Sequence, residues 1–306
     1  MSLVLIRKTA PVEAWLAALT QHCPDVPVHV WPETGPVDEV EFVLSWAADP
    51  GVIASFPNLR AVFSLGAGVD HILSDPTVPA ALPVARMIDP SLTHTMVQFV
   101  VLAVLSHQRS YRALLAQQAE STWARLPAVG ARVGVMGLGE LGTACARALA
   151  ALGLNCAGWS RSDKSVPGIA CFSGEAGLTP FLARTDILIC LLPRTAALDG
   201  VLGNATFAQL PKGAYLINVG RGEHLDEAAL LDALASGQLA GAWLDVFRQE
   251  PLPAAHPFWT HPSITVTPHI ASQTVPATAA AHVAENIRRA RAGEPLVGLV
   301  RRELGY

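Results

Sequence analysis

The chain has few charges and almost no lysine. Of its 306 residues only 15% are charged and 51% are apolar, and lysine stands at Lys8, Lys164 and Lys212 alone, so arginine carries most of the positive charge. The formal net charge is −4 and no basic block occurs, which argues against nucleic acid or an anionic membrane surface as a partner. Cysteine is sparse as well. Cys23, Cys145, Cys156, Cys171 and Cys190 are odd in number, widely spread and without a Cys-x-x-Cys spacing. That pattern suits neither a disulfide framework nor a structural zinc site, so no metal and a reducing cytoplasm are expected. No apolar run reaches the roughly 18 residues of a membrane span. The apolar opening LVLI (3–6) is too short for a secretory signal and runs at once into Arg7 and Lys8.

What the chain does have is length and apolar material enough for two cores. LVLIRK (3–8), VPVHVW (26–31), FVLSW (42–46), LRAVFSL (59–65) and PVARM (83–87) read as strands, and PVEAWLAALTQH (11–22) as a helix with Pro11 near its start. A single long helix is expected over SLTHTMVQFVVLAVLSHQRSYRALLAQ (91–117), apolar almost all round until Ser106, which suggests burial between domains or between subunits. Pro127 and Gly130 then punctuate the chain before a second α/β series. Its strands are expected at 132–136, 155–159, 186–192, 214–219, 240–246 and 263–267, with helices at 143–152 and 226–236. A last helix, 276–293, stops at Gly293 and has no following strand, so it should pack back on the first lobe. The fold class is α/β, with two lobes of mostly parallel sheet and a cleft between them.

The second series opens on Gly137-x-Gly139-x-x-Gly142, directly after a strand and at the mouth of a helix. One glycine makes the tight turn, one lets the backbone approach a pyrophosphate, and one permits close helix–strand packing, while the helix N-terminus offers free N–H groups. About 20 residues further on, at the tip of the next strand, a chain that takes NAD carries an acid for the ribose 2′-hydroxyl. Here the tip is Ser160-Arg161-Ser162, with Lys164 close behind. Arg161 can fork a phosphate, the serines can donate to it and Lys164 adds a charge. NADP(H) is the expected cofactor, with NAD possible because Asp163 sits amid the cluster.

Polar residues also stand just past other strand ends: Arg221 in INVGRGEHLD (217–226), Asp245 and Glu250 in WLDVFRQEPL (243–252), and His269 in TVTPHIAS (265–272). Ligands of open α/β sheets bind at the carboxyl ends of strands, so these residues can share one crevice. Arg can hold a carboxylate, His can protonate a carbonyl oxygen, and Glu can keep that His charged.

With the glycine motif, NVGRG (218–222), LDVFRQEPL (244–252) and PHIAS (268–272) in this order resemble the D-isomer-specific 2-hydroxyacid dehydrogenases. LGAGVDHIL (65–73), WSRSDKSVPG (159–168) and LLPRTA (191–196) are most similar to the NADPH-dependent glyoxylate/hydroxypyruvate reductase A branch of that family. The resemblance implies two flavodoxin- or Rossmann-like lobes: a discontinuous substrate-binding domain of residues 1–95 and 275–306, with the coenzyme domain, 96–274, inserted in it. It implies a homodimer built on the long helix and closing over substrate by hinge motion. The reaction implied is reduction of small 2-oxo acids, glyoxylate to glycolate and hydroxypyruvate to glycerate. Arg221 would bind the oxo acid, His269 would be the general acid, and Glu250 its carboxylate partner. Asp245 would hold the nicotinamide carboxamide, and Glu140, Leu141, Leu192, Pro193, Val219, Gly220 and Ser272 would complete the cofactor contacts. Trp46 and the loop of Leu65, Gly66, Ala67 and Gly68 would receive the substrate.

Three positions depart from that pattern. Gln98 stands where an acid is usual, Gly220 where Ala or Ser is commoner, and Asp163 within the phosphate cluster. Two other functions stay open from sequence: reduction of bulkier 2-oxo acids such as phenylpyruvate, and a non-catalytic nucleotide-sensing scaffold.

Overall fold

The computed structural model describes residues 1–7, 11–127, 129 and 131–306. Lys8, the end of the expected first strand, and Gly130 lie outside the described residues. The chain divides into two compact units, Met1–Leu92 with Gln273–Tyr306, and Thr93–Ser272.

In the first unit β1 (Ser2–Arg7), α1 (Glu13–His22), β2 (Val28–Val30), β3 (Val40–Trp46), β4 (Ala61–Ser64), α2 (Asp70–Leu73) and β5 (Val84–Ala85) follow in turn. Among the described residues they form a five-stranded sheet of order β2-β1-β3-β4-β5, parallel throughout. Leu3, Val4 and Leu5 are fully buried. A parallel sheet covered on both faces needs such unbroken apolar runs rather than alternation. β2 is shorter than VPVHVW suggested, since Pro27 and Pro32 bracket it and proline has no N–H for a ladder. α1 starts at Glu13, two residues past Pro11, and buries Trp15, Ala18 and Leu19 on one face.

The second unit takes over within α3 (Pro90–Gln108), which is followed by α4 (Tyr111–Ala119). The single helix expected over 91–117 is therefore two. Ser110 breaks it, at φ 52° in the left-handed region that stops a right-handed helix. The Ser110 N–H bonds the His107 carbonyl in a tightened last turn. The apolar pattern fails at the same place, and α4 buries no residue.

Then come β6 (Arg132–Met136), α5 (Glu140–Ala151), β7 (Asn155–Ser160), β8 (Ala170–Ser173), α6 (Gly174–Ala183), β9 (Ile187–Cys190), α7 (Asn204–Phe207), β10 (Ala214–Asn218), α8 (Glu227–Ala235), β11 (Leu239–Leu244) and β12 (Ile264–Val266). Among the described residues the sheet has order β12-β11-β10-β9-β6-β7-β8, again all parallel. β8 is an addition to the strands read from sequence. It is a four-residue edge strand with no fully buried residue, so it lacks an apolar run. One face of the sheet packs Phe181, Phe207, Leu230 and Phe258, the other Val100, Val104, Leu149 and Cys145. Each large apolar side chain so buried contributes about 1.5–3 kcal/mol. α8 is capped by Asp226, whose carboxylate accepts from the N–H groups of Ala228 and Ala229.

The strand order reverses between β6 and β9, the switch point at whose carboxyl edge such sheets bind ligands. The chain then returns to the first unit as α9 (Pro276–Ala292), stopped by Gly293 at φ 70°. There α9 packs on α1 and is tied to Asp25 by Arg291, so the helix without a following strand has its place.

Candidate active site

Two glycines of the turn after β6 are fixed by close approach. Gly137 stands at φ 106°, where a Cβ would lie 2.6 Å from the Leu191 carbonyl oxygen, and a Cβ on Gly142 would lie 1.8 Å from the Gly137 oxygen. Gly139 is the opposite case, for a Cβ there would meet no atom within 4 Å. The middle glycine thus keeps the approach to the N-terminus of α5 open. The first-turn N–H groups of α5, at Glu140, Leu141 and Gly142, have no carbonyl one turn earlier. Tight turn, open middle and helix end together fit a pyrophosphate.

At the tip of β7, Ser160 is buried and its hydroxyl donates to the Ser162 carbonyl at 2.8 Å. Ser160 therefore shapes the turn, while Arg161, Ser162 and Lys164 are exposed around it. Asp163 is turned toward β8, its carboxylate accepting from the Ser173 hydroxyl. The acid that sequence places amid the cations is engaged by the neighbouring strand.

At the end of β10, Asn218 is fully buried and braces the arginine turn. Its amide nitrogen donates to the Arg221 carbonyl at 3.0 Å and its oxygen accepts from the Gly220 N–H at 3.2 Å. The Arg221 Nη1 donates to the Gly220 carbonyl at 2.8 Å. A Cβ on Gly222 would lie 1.9 Å from the Phe247 backbone carbon, so this glycine lets the Arg221 turn lie against the loop that bears Glu250. Arg248 ties the same two segments, donating to the carbonyls of Leu225 and Glu223 at 2.8 Å each and to Asp199 at 2.6 Å.

His269 sits just past β12 at φ 54°, unusual for a residue with a Cβ. Asp245, at the end of the adjacent β11 and 1% exposed, holds it there. One carboxylate oxygen accepts from the Thr267 hydroxyl at 2.7 Å and the Ile270 N–H at 3.0 Å, and the other from the Ala271 N–H at 2.8 Å. The His269 N–H donates to the Asp245 carbonyl at 2.8 Å. Burial pushes the Asp245 carboxyl up, against the lowering effect of those hydrogen bonds. The residue expected to meet a carboxamide thus also pins the histidine turn, and its carboxylate keeps lone pairs for a further donor.

The His269 ring reaches Glu250, with Nδ1 at 2.7 Å from Oε2, and the other Glu250 oxygen accepts from the Phe247 N–H at 2.9 Å. Burial alone would raise the Glu250 carboxyl. The His269 hydrogen bond, the Phe247 N–H and the charges of His269 and Arg221 outweigh it, so Glu250 titrates below its ordinary 4.5. A carboxyl depressed on folding contributes above its unfolded value and loses that contribution as pH falls through the lower folded value. The acid limb of a pH–rate profile dependent on this pair is therefore expected below pH 4.5. A limb centred at neutral pH and unmoved by Glu250→Gln would separate Glu250 from it.

Arg221, Glu250, His269, Asp245, Leu192, Pro193, Val219, Gly220 and Ser272 thus all belong to one unit, as do the glycine turn and the β7 tip. Trp46 and residues 65–68 belong to the other. There a Cβ on Gly66 would lie 2.6 Å from the Trp46 ring, and the Ser64 hydroxyl donates to the Gly68 carbonyl at 2.7 Å, which brings the loop and the indole together. Sequence reasoning passed over Asn218, Arg248 and Thr267. A polar residue ending an otherwise apolar strand was the available signal for the first.

Residues 101–271 match the sequence profile of the D-isomer specific 2-hydroxyacid dehydrogenase NAD binding domain. The whole chain is 39% identical to the whole of a glyoxylate/hydroxypyruvate reductase A from Serratia proteamaculans. Its structure is similar to that of a D-isomer specific 2-hydroxyacid dehydrogenase from Xanthobacter autotrophicus Py2 in complex with NADPH, at TM-score 0.96 and 40% identity over 100% of this chain and 99% of that one. It is also similar to the NADPH-dependent glyoxylate/hydroxypyruvate reductase of Sinorhizobium meliloti in complex with NADP and sulfate, at TM-score 0.93 and 37% identity over 100% of both chains.

Proposed function

The chain belongs to the D-isomer specific 2-hydroxyacid dehydrogenases, and on that premise we propose that it reduces small 2-oxo acids with NADPH, glyoxylate to glycolate and hydroxypyruvate to glycerate. The observation that carries this reading is the 2.7 Å His269–Glu250 pair, set in the same unit as Arg221 and the glycine turn. Bound at that turn, NADPH supplies the hydride for C2 of the oxo acid. The Arg221 guanidinium takes the substrate carboxylate and carbonyl oxygen, as a planar fork can. His269 gives the carbonyl oxygen its proton. Because Nδ1 is committed to Glu250, the donated proton comes from Nε2, with Glu250 orienting the ring. We assign substrate recognition also to Trp46 and residues 65–68, and cofactor contacts to the turn and strand-end residues of the Thr93–Ser272 unit.

Arg161, Ser162 and Lys164 are assigned to the 2′-phosphate, and the NADPH and NADP complexes of the two relatives support that choice. Arg161→Ala is expected to raise the Michaelis constant for NADPH about 10- to 100-fold, the worth of a charge-assisted hydrogen bond, and that for NADH far less. Equal changes for both cofactors would remove Arg161 from phosphate recognition. We assign the homodimer to the segment that leaves Leu102, Tyr111, Leu114, Leu115 and the 99% exposed Trp123 uncovered, apolar surface that a second copy would cover. Sedimentation as a monomer would remove that assignment. Among the described residues no helix is long and apolar enough to cross a membrane, and the five cysteines are free thiols, which accords with a cytoplasmic enzyme.

The deciding experiment is initial-rate reduction of glyoxylate, hydroxypyruvate and phenylpyruvate with NADPH and with NADH. Fast turnover of the two small acids with NADPH is the expected result. Turnover of phenylpyruvate alone would move the substrate class, and cofactor binding without any turnover would make the chain a scaffold.

A further inference from the structure

His224 is 1% exposed, and no step above uses it. It ends the short turn Gly222–His224 that follows Arg221, and its ring folds back over that turn. Nδ1 lies 3.2 Å from the backbone nitrogen of Arg221, and Nε2 lies 3.1 Å from the carbonyl oxygen of Pro193. A backbone N–H only donates and a carbonyl only accepts, so the ring accepts at Nδ1 and donates from Nε2. The two contacts together select the neutral tautomer protonated at Nε2.

A third neighbour agrees with that assignment. The Cys190 sulfur lies 3.6 Å from Nδ1, and burial pushes its thiol up to about 12, so it is an S–H that can donate weakly to the same nitrogen. The departure at Gly220 also has its place here. A Cβ on that residue would come within 3.0 Å of Nδ1 and 3.1 Å of the Leu192 carbonyl oxygen, so glycine lets the ring and residues 192–193 close on the arginine turn. One buried imidazole thus links the end of β9, the segment assigned to the cofactor, and the backbone of the residue assigned to the substrate.

We propose that His224, as the neutral Nε2–H tautomer, is a positioning residue that fixes Arg221 against residues 192–193. The proposal rests on the reading of Arg221 as the partner of the oxo acid. Neutrality matters, because an imidazolium at this place would lose the acceptor for the Arg221 N–H and set a second cation beside the guanidinium.

Three substitutions separate this role from mere filling of the core. In His224→Asn the side-chain oxygen stands near the place of Nδ1 and can accept from Arg221, but nothing reaches Pro193. In His224→Gln the longer amide can donate to Pro193 and leaves Nδ1 without a substitute. His224→Phe keeps the ring and removes both bonds. The expected result is a crossed pattern. Phe and Gln raise the Michaelis constant for the oxo acid about tenfold while Asn stays near wild type, and Phe and Asn raise that for NADPH about threefold while Gln does not. An Asn or Gln variant that moves both constants together, or a Phe variant indistinguishable from wild type, would overturn the proposal. Nitrogen-15 spectra of the wild-type protein give a test that needs no variant to fold: a proton on Nδ1 overturns it, and one on Nε2 alone supports it. A wild-type protein that reduces no 2-oxo acid would sink the reading of Arg221 and this proposal with it, whereas an active enzyme with an unaffected Phe variant sinks the role of His224 alone.

Discussion

His269→Ala is expected to lower kcat about 10³-fold, within the 10²- to 10⁴-fold that a positioned general acid supplies, and to leave the affinity for NADPH within about twofold of wild type. The reason lies in the division of labour at the strand ends. The glycine turn assigned to the cofactor is fixed by Gly137 and Gly142 and does not depend on the imidazole. Glu250 would keep its bond from the Phe247 N–H, but no ring would stand beside it to give the oxo acid a proton. One alternative account is that any change at φ 54° collapses the turn. His269→Asn tests that directly, since asparagine tolerates the left-handed conformation better than most residues and cannot act as the acid. If chemistry is what is lost, both variants are slow and the Asn protein melts no lower than wild type. An Ala variant with unchanged turnover would take His269 out of the mechanism.

The parts of this site legible in the sequence are those whose chemistry is local. The glycine turn is one, because each of its glycines answers a separate steric demand within a few residues. Arg221 and His269 could be named as candidates, with Glu250 a short loop past a third strand end, because polar residues just past apolar strands fall at the ligand-binding edge of a parallel sheet. What sequence did not disclose depends on which strands become neighbours. Asp245 pins the His269 turn because β11 lies beside β12, a pairing that no local pattern announces. Gly222 matters because it meets Phe247, and His224 because it meets Pro193. The break at Ser110 was hidden for another reason. A serine in the left-handed region carries no signal of the kind a glycine gives, so the helical pattern of 91–117 read as continuous. β8 escaped because a short edge strand has no apolar run to show.

Arg221→Gln is expected to lower kcat/KM for the oxo acid about 10³-fold, since on the proposed reading two charge-assisted hydrogen bonds at roughly 1.5–3 kcal/mol each would be lost together. The fold of the turn should survive. Its geometry is held through the backbone, by Asn218 on the Arg221 carbonyl and His224 on its N–H, besides the guanidinium bond to the Gly220 carbonyl. Arg221→Lys keeps the charge but not the planar fork, and is expected to fall between wild type and Gln, near a 10²-fold loss. The order of the two variants is itself informative: a Lys variant equal to wild type would mean that charge alone is used, and a Gln variant equal to wild type would remove Arg221 from the substrate. A second signature follows from the pair next door. The positive charge of Arg221 is among the causes that hold Glu250 below 4.5, and removing it lets that carboxyl rise. Lowering the pH then protonates Glu250 sooner, so the acid limb of the Arg221→Gln profile should lie at higher pH than in the wild type. An acid limb that stays in place while kcat/KM falls would show that the arginine meets the substrate without being coupled to Glu250.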